Sequence, residues 1–382
     1  MRILHTADWH VGKVLKGRGR IEEHARVLRE VIDVAEREQP DLVIVAGDLY
    51  DTAAPPVDAT RLVTRALSAL RNTGAEVVVV TGNHDNGAHL EALRPWAEAA
   101  GIRLFGQVAT RPELHLVEAA TSTGERWQLV ALPFLSQRHA VRAAEMFDLT
   151  TTEATQTYAD WVRRLVARLT ESFDGSGMVN LVASHLTVAG GVLGGGERDA
   201  HTIFPYHVPA SVFPGSCHYV ALGHLHRQQE VTGACPIRYS GSPLLVDFGE
   251  EANQPAVLLV DVAADTPARV TPVPITSGRT LRTVRGTLAE LAELATGDGE
   301  AWLRVFVSER PRAGLREEVQ ELLPHALEVR IDPEFAAAGE EQPRAVRTGR
   351  SPQQLFAAYL EERGHDDSAV EDLFAQLYDD VS

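Results

Sequence analysis

Several things are scarce in this chain, and each shortage excludes a class of function. Cysteine occurs twice in 382 residues, as Cys217 and Cys235, without CxxC spacing. A disulfide framework and a closed thiolate zinc site are therefore excluded, which fits a reducing compartment. Both read as buried bystanders. No apolar run approaches the ~18 residues of a membrane span, and the opening MRILHTADWH has His and Asp where a signal peptide needs an apolar stretch. The expected location is the cytoplasm. Excess positive charge is also missing: the net charge is −17, so any grip on a polyanion must be local or borrowed. Lys13 and Lys16 are the lysines, and every other basic residue apart from histidine is arginine. No glycine-rich stretch ends in Gly-Lys-Ser/Thr, so the chain has no nucleotide-binding P-loop of its own. Internal repeats are absent too.

What is present is ordinary globular composition, 44% hydrophobic and 23% charged, in a length that allows two or three domains. Short β-branched runs end abruptly in polar residues. Arg2 to Thr6 leads into Asp8 and His10, Asp41 to Ala46 into Asp48, and Glu76 to Thr81 into Asn83 and His84. Val179 to Ser184 leads into His185, and Tyr219 to Leu222 into His224 and His226. Helix-patterned stretches at Glu22 to Arg37 and Ala59 to Arg71 separate the first three runs, so this half reads as βαβα with a parallel sheet. Ligands gather at the carboxyl ends of such strands. Leu114 to Glu118, Trp127 to Leu132, Ala256 to Val262 and Arg269 to Val273 read as antiparallel strands of a second sheet. Glycines from Gly190 to Gly196 suggest a mobile loop beside His185.

The fold class is thus α/β, a two-sheet sandwich flanked by helices over residues 1–275. Past Ile275 a strand–helix–strand–helix–strand pattern restarts and predicts a small α/β capping domain over 276–332. Residues 333–350 read as a linker, and 351–382 as a helical tail. Ser351, Pro352 and Gln354 mark one helix start and Ser368 with Glu371 another. Leu355, Phe356 and Tyr359 on the first, with Leu373, Phe374 and Leu377 on the second, make apolar faces suited to a partner or to the chain's own surface.

Asp8, His10, Asp48, Asn83, His185, His224 and His226 offer hard oxygen and imidazole donors without a thiolate, a set suited to Mn, Fe, Zn or Co. Seven donors are too many for one ion. A carboxylate on a short turn, such as Asp48 after Gly47, can bridge two, and such pairs serve phosphoryl displacement. A single histidine beside a strand ordinarily packs or hydrogen-bonds, and the ten histidines away from these strand ends are read that way. The joint placement of the rest argues for metal.

DxH at Asp8 and His10, GDxxD at Gly47 to Asp51, GNHD at Gly82 to Asp85, the single His185, and GHLH at Gly223 to His226 together resemble the calcineurin-like metallophosphoesterase signature. More narrowly, DWHVGK from Asp8, GDLYDTAAP from Gly47 and YSGSPLLVDFGEE from Tyr239 are similar to the branch that supplies the nuclease subunits of bacterial DNA-repair complexes. The likeness covers essentially the whole chain, in layout more than in motif over the last third.

That resemblance implies two Mn²⁺ ions, with Mg²⁺, Fe²⁺ or Zn²⁺ as other occupants. Asp8, His10 and His226 would hold one, Asn83, His185 and His224 the other, and Asp48 would bridge. His84 would stabilise or protonate the leaving 3′ or 5′ oxygen. Asp51 either orients His84 and keeps it protonated or caps the helix after Pro56. Lys13, Lys16, Arg18 and Arg20 follow the first metal motif and could meet the scissile strand; a solvated basic loop is the alternative. Also implied are exonuclease action on duplex ends, 3′→5′, endonuclease action on single strands and hairpins, a coiled-coil ABC ATPase partner, a homodimer formed through helices of the catalytic domain, and a place at the nucleoid. Two rivals remain: a small-molecule phosphodiesterase or protein phosphatase on the same scaffold, and a non-catalytic DNA-end scaffold.

Overall fold

A computed structural model describes residues 1–109, 111–135, 151–173, 177–197, 207–294 and 300–335, together with residues 355–357, 359, 360, 370, 373, 374 and 378. The helix starts expected at Ser351 and Ser368, most of the 333–350 linker and Leu377 lie outside the described residues.

Two six-stranded sheets face each other. In the first, β1 (Arg2–Thr6), β4 (Leu42–Ala46), β5 (Glu76–Val80) and β6 (Ile102–Phe105) run parallel, and the hairpin β13 (Ala256–Ala263) and β14 (Thr266–Pro274) extends the β1 edge antiparallel. In the second, β8 (Arg126–Leu132), β9 (Val179–His185), β10 (Tyr219–Gly223) and β12 (Ile237–Tyr239) run parallel, with β7 (Leu116–Ala120) and β11 (Gln229–Val231) antiparallel at its edges. The four strands expected to share one antiparallel sheet therefore divide. Val262 donates its N–H to Met1 O, so β13 closes on β1 instead.

Both sheets are buried on both faces, which is why β4 and β5 read as unbroken apolar runs rather than as alternations. Ile44, Ala46, Val78 and Val80 point inward against Leu129, Ala131, Leu181 and Ala183 of the other sheet. Their neighbours Val43, Val45, Val77 and Val79 pack under α1 (Ile21–Glu38) and α2 (Val57–Asn72), while α3 (Gly87–Ala99) lies against β6. On the far side α4 (Thr151–Leu169) covers Val130, Val182 and Val220 with Val162 and Val166. The result is a helix–sheet–sheet–helix sandwich that brings the carboxyl ends of β1, β4, β5, β9 and β10 to one edge.

A third sheet, β15 (Leu281–Gly286), β16 (Trp302–Val307) and β17 (Ala326–Ile331), is parallel throughout. Helices α5 (Leu288–Leu294) and α6 (Leu315–Leu322) cover one of its faces around Val305, Val307, Leu291 and Val319. The first row of the other face meets the large unit: Trp302 and Leu281 pack with Leu15, Leu245 and Phe248. The hairpin of β2 (Val14–Leu15) and β3 (Arg18–Gly19) supplies Leu15. No described helix is long and apolar enough to cross a membrane.

Candidate metal centre

Each chemistry-bearing residue sits just past, or at the end of, a central strand. Asp8, His10, Asp48 and His224 have φ of 53°, 46°, 50° and 99°. A non-glycine residue at positive φ is uncommon, and Asp and His are among the types that tolerate it. The left-handed turn folds the chain back over the sheet edge and aims the side chain at the gap between the sheets. Two glycines let the loops come this close. A Cβ on Gly47 would lie 2.2 Å from His185 Nδ1, and one on Gly223 would lie 1.9 Å from Ala46 O.

The structure brings the seven residues together. Asp48 Oδ2 lies 3.6 Å from His10 Nε2 and 3.3 Å from His185 Nε2. On one side His10 Nε2 and His226 Nε2 are 3.0 Å apart, and Asp8 belongs to the same cluster. On the other, Asn83 Oδ1 is 2.9 Å from both His185 Nε2 and His224 Nδ1. Donors ~2.1 Å from one cation and at right angles to each other stand ~3 Å apart, so both spacings fit a shared divalent ion. The donor set is thiolate-free and buried except for the half-buried Asn83, and Asp8 Oδ2 has no hydrogen-bond partner in the protein. A buried carboxylate oxygen in that state is costly unless a cation or proton meets it. The residues present fit a pair of metal ions.

The second oxygens of the two carboxylates hold the loops in place. Asp8 Oδ1 accepts the His224 N–H at 2.9 Å, and Asp48 Oδ1 accepts the His84 N–H at 2.8 Å. Burial and the neighbouring charges shift the acids and bases of the site strongly. Burial pushes the His10 imidazole down to about 3. It also opposes the charged forms of His185 and His226, yet Asp48 and Glu250 respectively outweigh it and raise both to about 9. Asp48 is held well below the usual range because His185, His10 and His84 outweigh its own desolvation. Desolvation and the Asp48 charge raise Asp85 to about 7, while it accepts from Gly82, Leu49 and Tyr50 backbone N–H groups.

His84 lies at the same edge, its ring 4.6 Å from that of His10. Its Nδ1 donates to the backbone carbonyl of Asp51 at 2.8 Å. The Asp51 carboxylate goes elsewhere, 3.6 Å from His10 Nδ1 and 3.2 Å from Lys13 Nζ. The capping expectation fails, since the N-cap of α2 is Pro56 without any side-chain cap bond, and the contact expected with His84 is made by the Asp51 carbonyl. The Asp51 carboxylate thus lies beside a candidate ligand without hydrogen-bonding it, and its main-chain carbonyl holds His84.

The basic loop divides as well. Arg20 is buried, chelates Glu23 with Nε and Nη2 and donates Nη1 to Leu245 O, so it is unavailable to a nucleic acid. Helix α1 begins at Ile21 and turns this guanidinium inward. Lys13 pairs with Asp51, Lys16 lies 3.5 Å from Glu328, and the Arg18 guanidinium sits 5.5 Å from the Trp302 ring centre. In the tail the rings of Phe356 and Phe374 stack at 4.1 Å, so these two pack on each other, while Tyr359 and Leu373 are exposed.

Sequence reasoning missed two carboxylates. Glu250 Oε1 accepts the His226 Nδ1 proton, and its Oε2 accepts the Val246 N–H. Glu197 takes the N–H groups of His226, Gly194 and Gly195. The glycine stretch expected to be a mobile loop is, over its described residues, tied down at Glu197 and by Asn253 to Gly194 O. Glu250 lies in the YSGSPLLVDFGEE motif, which was the available signal; Glu197 had none.

A family model described as calcineurin-like phosphoesterase matches residues 1–228. The chain belongs to the calcineurin-like phosphoesterase family. As a calcineurin-like phosphoesterase it is a metal-dependent enzyme of phosphoester hydrolysis, and the convergent donors are where that family's divalent ions fit. A second model, described as type 5 capsule protein repressor C-terminal domain, matches residues 277–364. The SbcD component of the SbcCD nuclease from Bacillus subtilis (strain 168) is 34% identical over 371 residues, covering 95% of this chain and 93% of that protein. The protein of the same name from Rhodobacter capsulatus is 34% identical over 328 residues, 82% of this chain and 78% of that one. This places the chain in the SbcD branch of the family. Among solved structures, a dimetal phosphatase from Danio rerio aligns with a TM-score of 0.45 and 14% identity, over 72% of this chain and 99% of that one.

Proposed function

We propose that this phosphoesterase is a two-metal DNA nuclease of the SbcD type. The observation that carries the reading is the Asp48 carboxylate oxygen placed between the His10 and His185 imidazoles, 3.6 and 3.3 Å away. Asp8, His10 and His226 would hold one ion, Asn83, His185 and His224 the second, and Asp48 both. Bound there, a pair of divalent cations lowers the pKa of water and absorbs charge on the phosphoryl oxygens.

The chain's own groups supply positioning and proton transfer. With Nδ1 committed to the Asp51 carbonyl, His84 exchanges protons with substrate through Nε2, giving one to the leaving 3′ or 5′ oxygen. Glu250 fixes the ring of His226, which limits that ligand to one arrangement, and the Asp51 carboxylate adds negative charge 3.6 Å from His10 Nδ1. Lys13, Lys16 and Arg18 are proposed DNA contacts beside the centre; Arg20 is not.

The finer reading has Mn²⁺ as metal, 3′→5′ exonuclease action on duplex ends and endonuclease action on hairpins and single strands in double-strand break repair. The relatives' shared name supports an SbcC-type coiled-coil ABC ATPase as partner, docked on Tyr359 and Leu373 of the tail. A homodimer within a heterotetramer would form through helices of the sandwich, where α3 carries the exposed Trp96. The location is cytoplasmic, at the nucleoid.

The test is purified chain with Mn²⁺, offered hairpin DNA, a phosphomonoester and a cyclic nucleotide, with and without the ATPase. Hairpin cleavage that Asp48→Asn abolishes is expected. Turnover of the small esters alone would refute the nuclease reading, and ATP-insensitive cleavage by a mixture that does not co-purify would refute the partner. A chain truncated at Arg350 should lose co-purification.

A further inference from the structure

Parallel sheets are ordinarily covered on both faces. The β15–β17 sheet has helices on one face, because both right-handed crossovers fall on the same side. Its other face begins under the large unit at Trp302 and emerges along the strands. The next row is Thr283, Arg304 and Glu328, with the Arg304 guanidinium 5.2 Å from the Phe248 ring centre. The row after that is Arg285, Phe306 and Arg330, aligned across the three strands. The Arg285 and Arg304 guanidiniums lie 5.2 and 6.0 Å from the centre of the Phe306 ring. Arg285 and Arg330 are more than half exposed, and Phe335, in the turn after β17, is exposed as well.

We propose that this face, which carries no helix among the described residues and is centred on Phe306 and flanked by Arg285, Arg304 and Arg330, is a platform for single-stranded DNA. Unlike the nuclease reading, on which it rests, the proposal concerns a surface outside the metal centre. Charge complementarity is the first reason. In a chain of net charge −17, Arg285, Arg304, Arg330 and Lys16 gather here against Glu328 and Asp332, with Glu251 at the β15 edge. Chemistry is the second. Guanidiniums over an aromatic ring mark a surface that takes flat, π-rich groups. An unpaired base can replace either guanidinium over Phe306 while that arginine moves to a phosphate. A duplex keeps its bases stacked on each other and has no such face to offer, so the occupant is single-stranded. Position is the third. Phe248, which Arg304 covers, lies two residues from Glu250, the partner of His226. A strand on the platform therefore leads toward the metal centre.

The experiment is fluorescence anisotropy of a labelled oligothymidylate of about 20 nucleotides and of a blunt duplex of the same length, with the full chain in EDTA. Phe306→Ala is expected to weaken oligothymidylate binding roughly five- to hundred-fold, the loss of one base stack, with duplex binding held within about twofold. Phe306→Tyr, which keeps the aromatic face, should restore the wild-type value. Arg330→Gln should lower the single-strand salt slope by about 0.7, and it carries the test if Phe306→Ala does not fold. Unchanged oligothymidylate binding in Phe306→Ala, equal losses for strand and duplex, or an unchanged slope in Arg330→Gln would each overturn the proposal. Hydrolysis of bis(p-nitrophenyl) phosphate, too small to span the platform, reads the metal centre separately. Its absence with platform binding intact would refute the nuclease reading, and its presence without single-strand binding would refute the platform.

Discussion

Replacing Glu250 by Gln should weaken one metal position and spare the other. Glu250 is buried and uses both oxygens, one for the His226 Nδ1 proton and one for the Val246 N–H. A carboxylate can accept twice; an amide of nearly the same shape cannot. If the glutamine oxygen faces His226, its NH₂ meets the Val246 N–H, donor against donor. If it turns over, the NH₂ forces His226 to accept at Nδ1 and carry its proton on Nε2, the nitrogen that faces His10 Nε2 at 3.0 Å. Either way the imidazole loses the tautomer or the orientation a metal requires. Loss of such an outer carboxylate costs about 10- to 100-fold in metal affinity, or ~1.4–2.7 kcal/mol. Leaving one buried donor unsatisfied costs a further ~1–3 kcal/mol of stability. Calorimetric titration of the metal-free chain with Mn²⁺ should show two transitions. Only the one belonging to Asp8, His10 and His226 should move, because Asn83, His185 and His224 do not touch Glu250. Two unmoved transitions in a folded variant would refute the orienting role, and equal movement of both would refute the division of ligands.

Removing the Arg20 guanidinium leaves Glu23 buried among Trp302 Nε1 and the Arg279 N–H without its cation. Arg20→Ala should therefore lose roughly 3 kcal/mol or more in urea unfolding, whereas a loss under ~1 kcal/mol would mean that Arg20 is not structural. Glu23 itself is held below its usual 4.5, since Arg20 and Trp302 outweigh its burial. A depressed carboxylate stabilises fully above its unfolded value and loses that contribution as pH falls through the folded one. Between about pH 5.5 and pH 3.5 the wild type should thus lose more stability than Glu23→Gln; parallel losses would exclude Glu23 as the titrating group. Metal should raise the melting temperature with concentration, by ~2.7 kcal/mol equivalent at a hundred-fold excess over Kd. EDTA should reverse the rise and Asp48→Asn should remove most of it. A melting point indifferent to Mn²⁺ would count against the centre.

The sequence disclosed where chemistry gathers because each β-branched run stops at a polar residue, and sheet topology sends every parallel strand end to one edge. It also disclosed the small βαβαβ pattern from period alone. It could not assign the hairpin at residues 256–274 to a sheet, because an alternating strand pairs equally well with either neighbour until the chain end at Met1 is placed. Arg20 is the sharper case. In the string Lys13, Lys16, Arg18, Arg20 nothing distinguishes it from its neighbours. Its burial is decided by Leu245 and Trp302, more than two hundred residues away. Asp51 fails for a related reason. The motif fixes that an acid follows Asp48 by three residues, but the turn after β4 presents its main chain to His84 and its side chain to His10. Glu250 was visible as a letter in a motif and invisible as a partner, since the contact with His226 spans 24 residues of sequence that include β11 and β12.

Among the described residues, the non-glycine positions with positive φ are Asp8, His10, Lys16, Gln39, Asp48 and His224, and four of them are candidate ligands. Such conformations cost of order 1 kcal/mol or more each and persist only where the surroundings hold them. Here the ligands hold one another's loops. Asp8 N–H donates to Gly47 O and His10 N–H to Asp48 O, binding the β1 and β4 loops together. Asp8 Oδ1 then ties the β10 loop through His224, and Asp48 Oδ1 ties the β5 loop through His84. Each carboxylate gives one oxygen to the backbone of another loop and keeps the second for the gap, where Asp8 Oδ2 has no protein partner and Asp48 Oδ2 faces two imidazoles. The same two side chains thus assemble the loops and supply the charge. An alanine at either position would release strained turns as well as delete a donor, whereas an asparagine could keep the backbone tie and lose only the charge. That difference explains why Asp48→Asn, rather than alanine, isolates the chemistry from the architecture.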